Sequence, residues 1–215
     1  MRIIGVDVDL TEPPTALTSR LTIAVLRSLA SRRGSATTEQ VRRTAGIGTA
    51  AGVRRVLEKL IEHGLVTDTG PATRPALYEL NRDHVLYPAV QALLAAREAL
   101  PRLLGESISQ WRLIPVNASL FGSAARRDGG LHSDIDLLVI RPTGLAGDEP
   151  EWMQQLHDVR GQIHRWTGNH LQVLDRSWSG LVDLVHADEK IVAEWQRDAV
   201  TVHGRDLRDL LMELG

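Results

Sequence analysis

Apolar residues Leu21, Val25, Leu26 and Leu29 recur at helical spacing, between Thr18–Ser19 as a cap and Gly34 as a stop. A second, shorter helix is predicted over "SATTEQVRRTAG", where Thr37 and Gln40 have the spacing of a capping box and Gly46 closes the turn. The third, "GTAAGVRRVLEKLIEHG", places Val53, Val56, Leu57, Leu60 and Ile61 on one face and ends at Gly64. Two short β-prone runs, 65–67 and 76–80, then flank a Gly/Pro/Thr segment, which is a hairpin signal. Residues 84–110 read as one long helix with Pro88 and Pro101 as candidate bends. Residues 2–9 alternate weakly, as a short strand would.

After Trp111 the period changes. "VNASLF" and "SDIDLLVI" read as strands separated by the glycine turn and short helix of "GSAARRD". "EWMQQLHDVRGQIHRWTG" is an amphipathic helix, "NHLQVLD" a strand, "DEKIVAEWQRDA" a helix, "VTVHG" a strand and "RDLRDLLMEL" a closing helix. Mixed strands and helices predict an α+β fold with a small mixed sheet. Three short helices followed by a hairpin predict a winged helix-turn-helix at the N-terminus, whose third helix reads DNA while the wing touches backbone. The expected organisation is therefore a DNA-binding domain over 1–83, a linker helix over 84–110 and a second domain over 111–215.

Composition sharpens that division. All five tryptophans and the single phenylalanine fall after residue 110. Residues 18–60 carry nine Lys/Arg against two Asp/Glu, although the whole chain has a net charge of −2. A local cationic excess of that size points to an anionic partner for the N-terminal part. The absence of cysteine excludes disulfides and thiolate zinc sites. No apolar run approaches the ~20 residues that span a bilayer. The start, "MRIIGVDVDL", has acids in its apolar stretch and no cleavage-like site, so a cytoplasmic protein with no membrane partner is expected.

The chemistry concentrates in "LFGSAARRDGGLHSDIDLLVI". Asp134 and Asp136 sit inside a strand otherwise fit for a core, and burying an unpaired carboxylate is costly. Side chains at i and i+2 share a face about 6.5–7 Å apart, so the pair could hold one or two Mg²⁺ ions together with a substrate phosphate. Upstream, Gly122 and Ser123 lie where a strand turns into a helix, and a glycine there lets a phosphate approach the backbone. Arg126 stands one turn on, and Ser133 immediately precedes the acidic pair.

This stretch resembles the signature of the DNA-polymerase-β-type nucleotidyltransferases, in particular the minimal (MNT-type) subgroup with its Gly-Ser, motif arginine and Ser-Asp-Ile-Asp-Leu. Arg127 departs from the pattern, standing where glycine is usual. The resemblance implies that Gly122, Ser123, Arg126 and Ser133 hold the triphosphate of an NTP, and that Asp134 and Asp136 bind Mg²⁺ or Mn²⁺. It also implies a third carboxylate from a neighbouring strand, acting as base. In one register of "NHLQVLD" that position is Asp175, the favoured candidate. In the other it is Gln172, which neither binds a metal as a carboxylate does nor takes a proton. The wider chain resembles bacterial proteins that join a winged helix-turn-helix to such a transferase domain, some of which work in toxin–antitoxin or phage-defence systems on a partner protein or tRNA.

Arg42, Arg43, Arg54, Arg55 and Lys59 fall on or near the second and third helices, and Arg74 on the wing, as candidate DNA contacts. His132 is expected to be a surface-loop residue, and the tryptophans core or interface residues. Two functions are expected from these features. One is transfer of an NMP from an NTP to a hydroxyl on a protein, tRNA or small molecule, coupled to DNA binding. The other is a transcriptional regulator, working as a homodimer, whose transferase fold serves as a nucleotide sensor or partner-binding module.

Overall fold

A computed structural model of the chain describes residues 8–70, 75–126, 128 and 133–214. Residues 12–97 form one compact unit, and residues 8–11 with 98–214 form the other. The architecture is α+β: a helical region with a hairpin, then a mixed four-stranded sheet with helices.

The first unit is built on helices α1 (Arg20–Ala30), α2 (Thr38–Ala45) and α3 (Ala50–Glu62). Each starts where a hydroxyl satisfies an orphan backbone donor: Ser19 accepts from the Thr22 N–H, Thr37 from Gln40 and Thr49 from Gly52. At the start of α2 the Gln40 side chain also returns to the Thr37 N–H, completing the capping box. Gly46 then takes φ +70°, a left-handed value that a β-carbon would penalise, and so turns the chain from α2 into α3. Strands β1 (Val66–Asp68) and β2 (Tyr78–Leu80) pair antiparallel with Val66 opposite Leu80. Ala36 adds a third edge, exchanging backbone hydrogen bonds of 2.8 and 2.9 Å with Tyr78. Val25, Leu29, Val41, Val53 and Leu57, the helical stripes of the sequence, meet under this small sheet. Helix α4 (Tyr87–Ala95) closes the unit.

The expected single helix over 84–110 is divided. A short 3₁₀ turn, Ala96–Glu98, interrupts it, and α5 (Ala99–Ile108) belongs to the second unit. Pro88 lies in the first turn of α4, where its missing N–H costs nothing; Pro101 likewise lies in the first turn of α5, so both prolines mark starts rather than bends.

In the second unit, β3 (Asn117–Phe121) runs directly into α6 (Gly122–Arg126), followed by β4 (Ile135–Ile140), α7 (Pro150–Thr167) and β5 (Leu171–Arg176). Helices α8 (Trp178–His186) and α9 (Lys190–Asp198), strand β6 (Val200–Gly204) and α10 (Leu207–Leu214) complete it. Sequence periodicity did not single out α8, although Ser177 caps it by accepting from the Gly180 N–H. The sheet order is β5-β4-β3-β6, with β4 parallel to β5 and the other pairs antiparallel.

Both faces of this sheet are covered. Ile135, Leu137 and Val139 of β4 pack with Trp152 of α7 and Leu104 of α5. Leu138 and Ile140 point the other way, into a cluster with Leu181, Trp195 and Leu211 of α8, α9 and α10. Trp152 and Trp195 are each fully buried, one per face, and each meets a second aromatic edge-on: Trp111 at 5.7 Å and Phe121 at 5.9 Å. No described helix is long and apolar enough to cross a membrane.

Candidate functional site

Because side chains alternate along a strand, register decides which residues share a face. Asp136 has the parity of Leu138 and Ile140, so it belongs to the face covered by α8, α9 and α10. Its cross-strand partners are Phe121 on β3 and Gln172 on β5. Asp134 lies just before the strand begins, exposed, with the same parity.

Gly122 is held against this pair. Its φ is +64°, and a β-carbon added there would stand 2.3 Å from Asp136 Oδ2. Only glycine fits, on both counts. The β3–α6 turn thus brings backbone and carboxylate into contact, as the Gly-Ser…Asp-x-Asp spacing predicts. Ser123 follows Gly122 in the first turn of α6. Arg126, at the end of α6, places Nε 3.0 Å from Asp128 Oδ2 and Nη1 3.9 Å from Asp198 Oδ2 at the end of α9.

Burial and, second to it, the negative charge of Asp134 push the Asp136 carboxyl above the usual aspartate range, while Arg126 draws it down. A half-buried carboxylate raised by its own neighbour is a site short of positive charge. Among the described residues no group of three or more His, Asp or Glu is arranged to hold a metal. The two carboxylates beside an open backbone fit one divalent cation shared with a polyphosphate, since magnesium is usually bound by one or two carboxylates plus substrate phosphates.

The favoured third acid is a correction. Asp175 pairs with Val139, and therefore lies on the opposite face of the sheet from Asp136. There it accepts from Arg141 Nη1 at 3.0 Å and from Trp152 Nε1 at 3.1 Å. It is a structural ion pair tying β4, β5 and α7 together, not a member of the site. The residue beside Asp136 is Gln172, exposed on β5. The parallel register gives the physical reason: Asp175 is an odd number of residues from Gln172, so its side chain must point away.

One positioning residue escaped notice as such. Asn169, only 2% exposed, donates from Nδ2 to the Ser133 carbonyl at 3.1 Å and accepts from the Val8 N–H at 3.3 Å. It fixes the backbone entering the acidic pair. Its position in "WTGN", after the left-handed Gly168 that ends α7, was its only trace in the sequence. Arg127 and His132 lie outside the described residues.

The candidate DNA contacts divide into two groups. Glu39 engages both arginines of α2, taking two bonds of 2.8 Å from Arg42 and one of 3.1 Å from Arg43. These bonds lower the Glu39 carboxyl to about 2. On α3, Arg54, Arg55 and Lys59 are exposed, and among the described residues none of them has a side-chain partner. Arg74 lies outside the described residues.

No family model matches the chain, and no curated protein matches it. A solved structure of BpsR from Bordetella bronchiseptica, reported for the mechanism by which 6-hydroxynicotinic acid regulates its DNA binding, is a distant match. It is 24% identical over 42% of this chain, with a TM-score of 0.33, and 64% of the BpsR chain is spanned, less than two thirds of its length. None of these comparisons identifies a nucleotidyltransferase domain. A TM-score of that size carries no weight, so the functional reading rests on the residues themselves.

Two outcomes follow for the sheet. Asp175→Ala strands Arg141 in a largely dry setting and should cost about 3 kcal/mol in urea unfolding, whereas Gln172→Ala should stay within about 0.5 kcal/mol of wild type. For Asp136, the folded state holds the proton more tightly than the unfolded chain. Stability is therefore lost as pH rises from the ordinary aspartate pKa through the raised one. Asp136→Asn should raise the unfolding midpoint near pH 7 but not near pH 3, and added Mg²⁺ should stabilise the wild type alone. An equal gain at both pH values would show that Asp136 carries no such penalty.

Proposed function

We propose that the protein is a DNA-binding regulator whose second unit binds a divalent cation and a nucleotide without passing the nucleotide on. The observation that carries the DNA half is the contrast between α2 and α3. The element order of helix, Ala36 bridge, two helices and hairpin is that of a winged helix-turn-helix. Within it Arg54, Arg55 and Lys59 on α3 have no side-chain partner among the described residues, while Arg42 and Arg43 share the single carboxylate of Glu39, which offsets one of their two charges. Unpaired cations release counterions from DNA without first breaking an ion pair, so α3 supplies the phosphate and base-edge contacts. Arg42 and Arg43 then add to the field rather than to the contact set.

In the second unit, Gly122 admits a phosphate to the backbone, Asp134 and Asp136 would hold the cation, and Ser123 and Arg126 are within the same turn to meet the polyphosphate tail. A bound cation would neutralise the carboxylates against the phosphates. Gln172 stands where the family's base would, and an amide takes no proton from an attacking hydroxyl. Binding without transfer is the chemistry this set supports.

The second reading is nucleotidyl transfer from an NTP to a protein, tRNA or small-molecule hydroxyl, in a toxin–antitoxin or defence setting. The close approach of Gly122 to Asp136 favours it, because that approach is what the family's motif requires. Labelled NTPs with Mg²⁺ and a cell extract distinguish the two. The wild type should move no label onto a macromolecule, while still binding nucleotide in a manner lost in the Asp134→Asn, Asp136→Asn double variant. Transfer by the wild type that vanishes in the double variant would establish the enzyme instead. For DNA, binding to duplex from upstream of the protein's own gene should weaken with salt. Arg54→Ala and Arg55→Ala should each reduce the log–log slope by about 0.9 for every phosphate left without its cation. Arg42→Ala should change it less, and a slope near zero for the wild type would remove the DNA reading.

A further inference from the structure

The first unit contains an opening of about 590 Å³ between α1, α3 and α4. It is a groove open to solvent rather than an interior void. Its floor and walls are Leu26, Val56, Leu60, Leu65, Val90 and Leu93. Along its edge run Arg55 and Lys59 on one flank of α3 and His63 just past its end, four residues apart, and no Asp or Glu lines it among the described residues. Arg55 and Lys59 have no side-chain partner among the described residues. Ligand pockets for small molecules typically span about 300–1,000 Å³, with mostly apolar walls and a few convergent polar groups.

We infer that this crevice binds a small organic acid: a monocarboxylate on an aryl or short alkyl body. The apolar body displaces water from the leucine and valine walls. The carboxylate meets Arg55 and Lys59, and the planar arginine fork can take its two oxygens bidentately. An acid seated there takes up cations that α3 would otherwise offer to DNA phosphates. The ligand is thereby an antagonist of DNA binding, an effect that rests on the DNA-binding reading above; the binding itself does not.

Isothermal titration of the full chain with 2-naphthoate, and with the neutral isostere 2-naphthamide, tests the site. Naphthoate should bind saturably with one site per chain, at least tenfold more tightly than the amide, and Lys59→Gln should narrow that difference. Leu93→Trp fills the crevice from α4 and should abolish naphthoate binding while leaving DNA affinity as it is. Naphthoate should weaken DNA binding of the wild type several-fold and of Leu93→Trp not at all. Equal binding of acid and amide, or naphthoate binding that survives Leu93→Trp, would overturn the proposal. So would a change in solution mass caused by Leu93→Trp, which would make the crevice a contact between copies. Should the wild type bind no DNA, the regulator reading fails, and the calorimetric comparison still decides the crevice.

Discussion

Two like charges at the mouth of a sheet buried on both faces set the terms for the second unit. Asp136 has Leu138 and Ile140 behind it, Phe121 on one side and the Asp134 charge two residues away. The chain could have avoided this conflict with a single apolar residue. Instead the conflict is surrounded by features that make sense only if it is kept. Gly122 removes the one β-carbon that would collide with the carboxylate. Asn169 pins the backbone that delivers the pair. Arg126 supplies partial compensation, though its own nearest partners are Asp128 and Asp198. The proposed cation, arriving with a ligand, would supply the positive charge this setting lacks.

The opposite face of the same strands shows the alternative solution. Asp175 is also a carboxylate in a largely apolar setting, and its Oδ2 accepts from Arg141 and the Trp152 indole, while Oδ1 is buried without a partner among the described residues. The Arg141 guanidinium balances its charge from within the fold, which makes it structural. The same distinction separates the arginines of the first unit. Glu39 engages both Arg42 and Arg43, whereas Arg54, Arg55 and Lys59 have no side-chain partner among the described residues. Charge counts along the chain do not reveal which cations already have an internal partner.

This also explains what could and could not be read from the sequence. The helical stripes of α1 and α3, the hydroxyl caps of α1 and α2 and the hairpin were legible because each is a local pattern. Motif spacing grouped Gly122 with Asp136, while the contact between them follows from the β3–β4 register, which the spacing does not give. The identity of the residue opposite Asp136 was not, since it depends on the register between β4 and β5, and a shift of one residue reverses every side chain. Asp175 looked suitable because it is an acid at a strand end, while parity excludes it. The interruption of 84–110 was missed for a related reason: Pro88 and Pro101 are as compatible with two helix starts as with one bent helix.

The proposed binding site without a base would have consequences for how the two units could influence each other. A nucleotide changes DNA affinity only to the extent that it binds the DNA-competent and DNA-incompetent states differently. If such a difference exists, DNA must alter nucleotide affinity by the same factor, because the coupling is reciprocal. Turnover would break that equality by continually draining the bound state, and an enzyme at this site would make a poor sensor. On the proposed reading, Gln172 would remove the drain, because an amide beside Asp136 would let a bound nucleotide stay until it dissociates. On this view the substitution that weakens the case for catalysis is the one that makes equilibrium regulation workable.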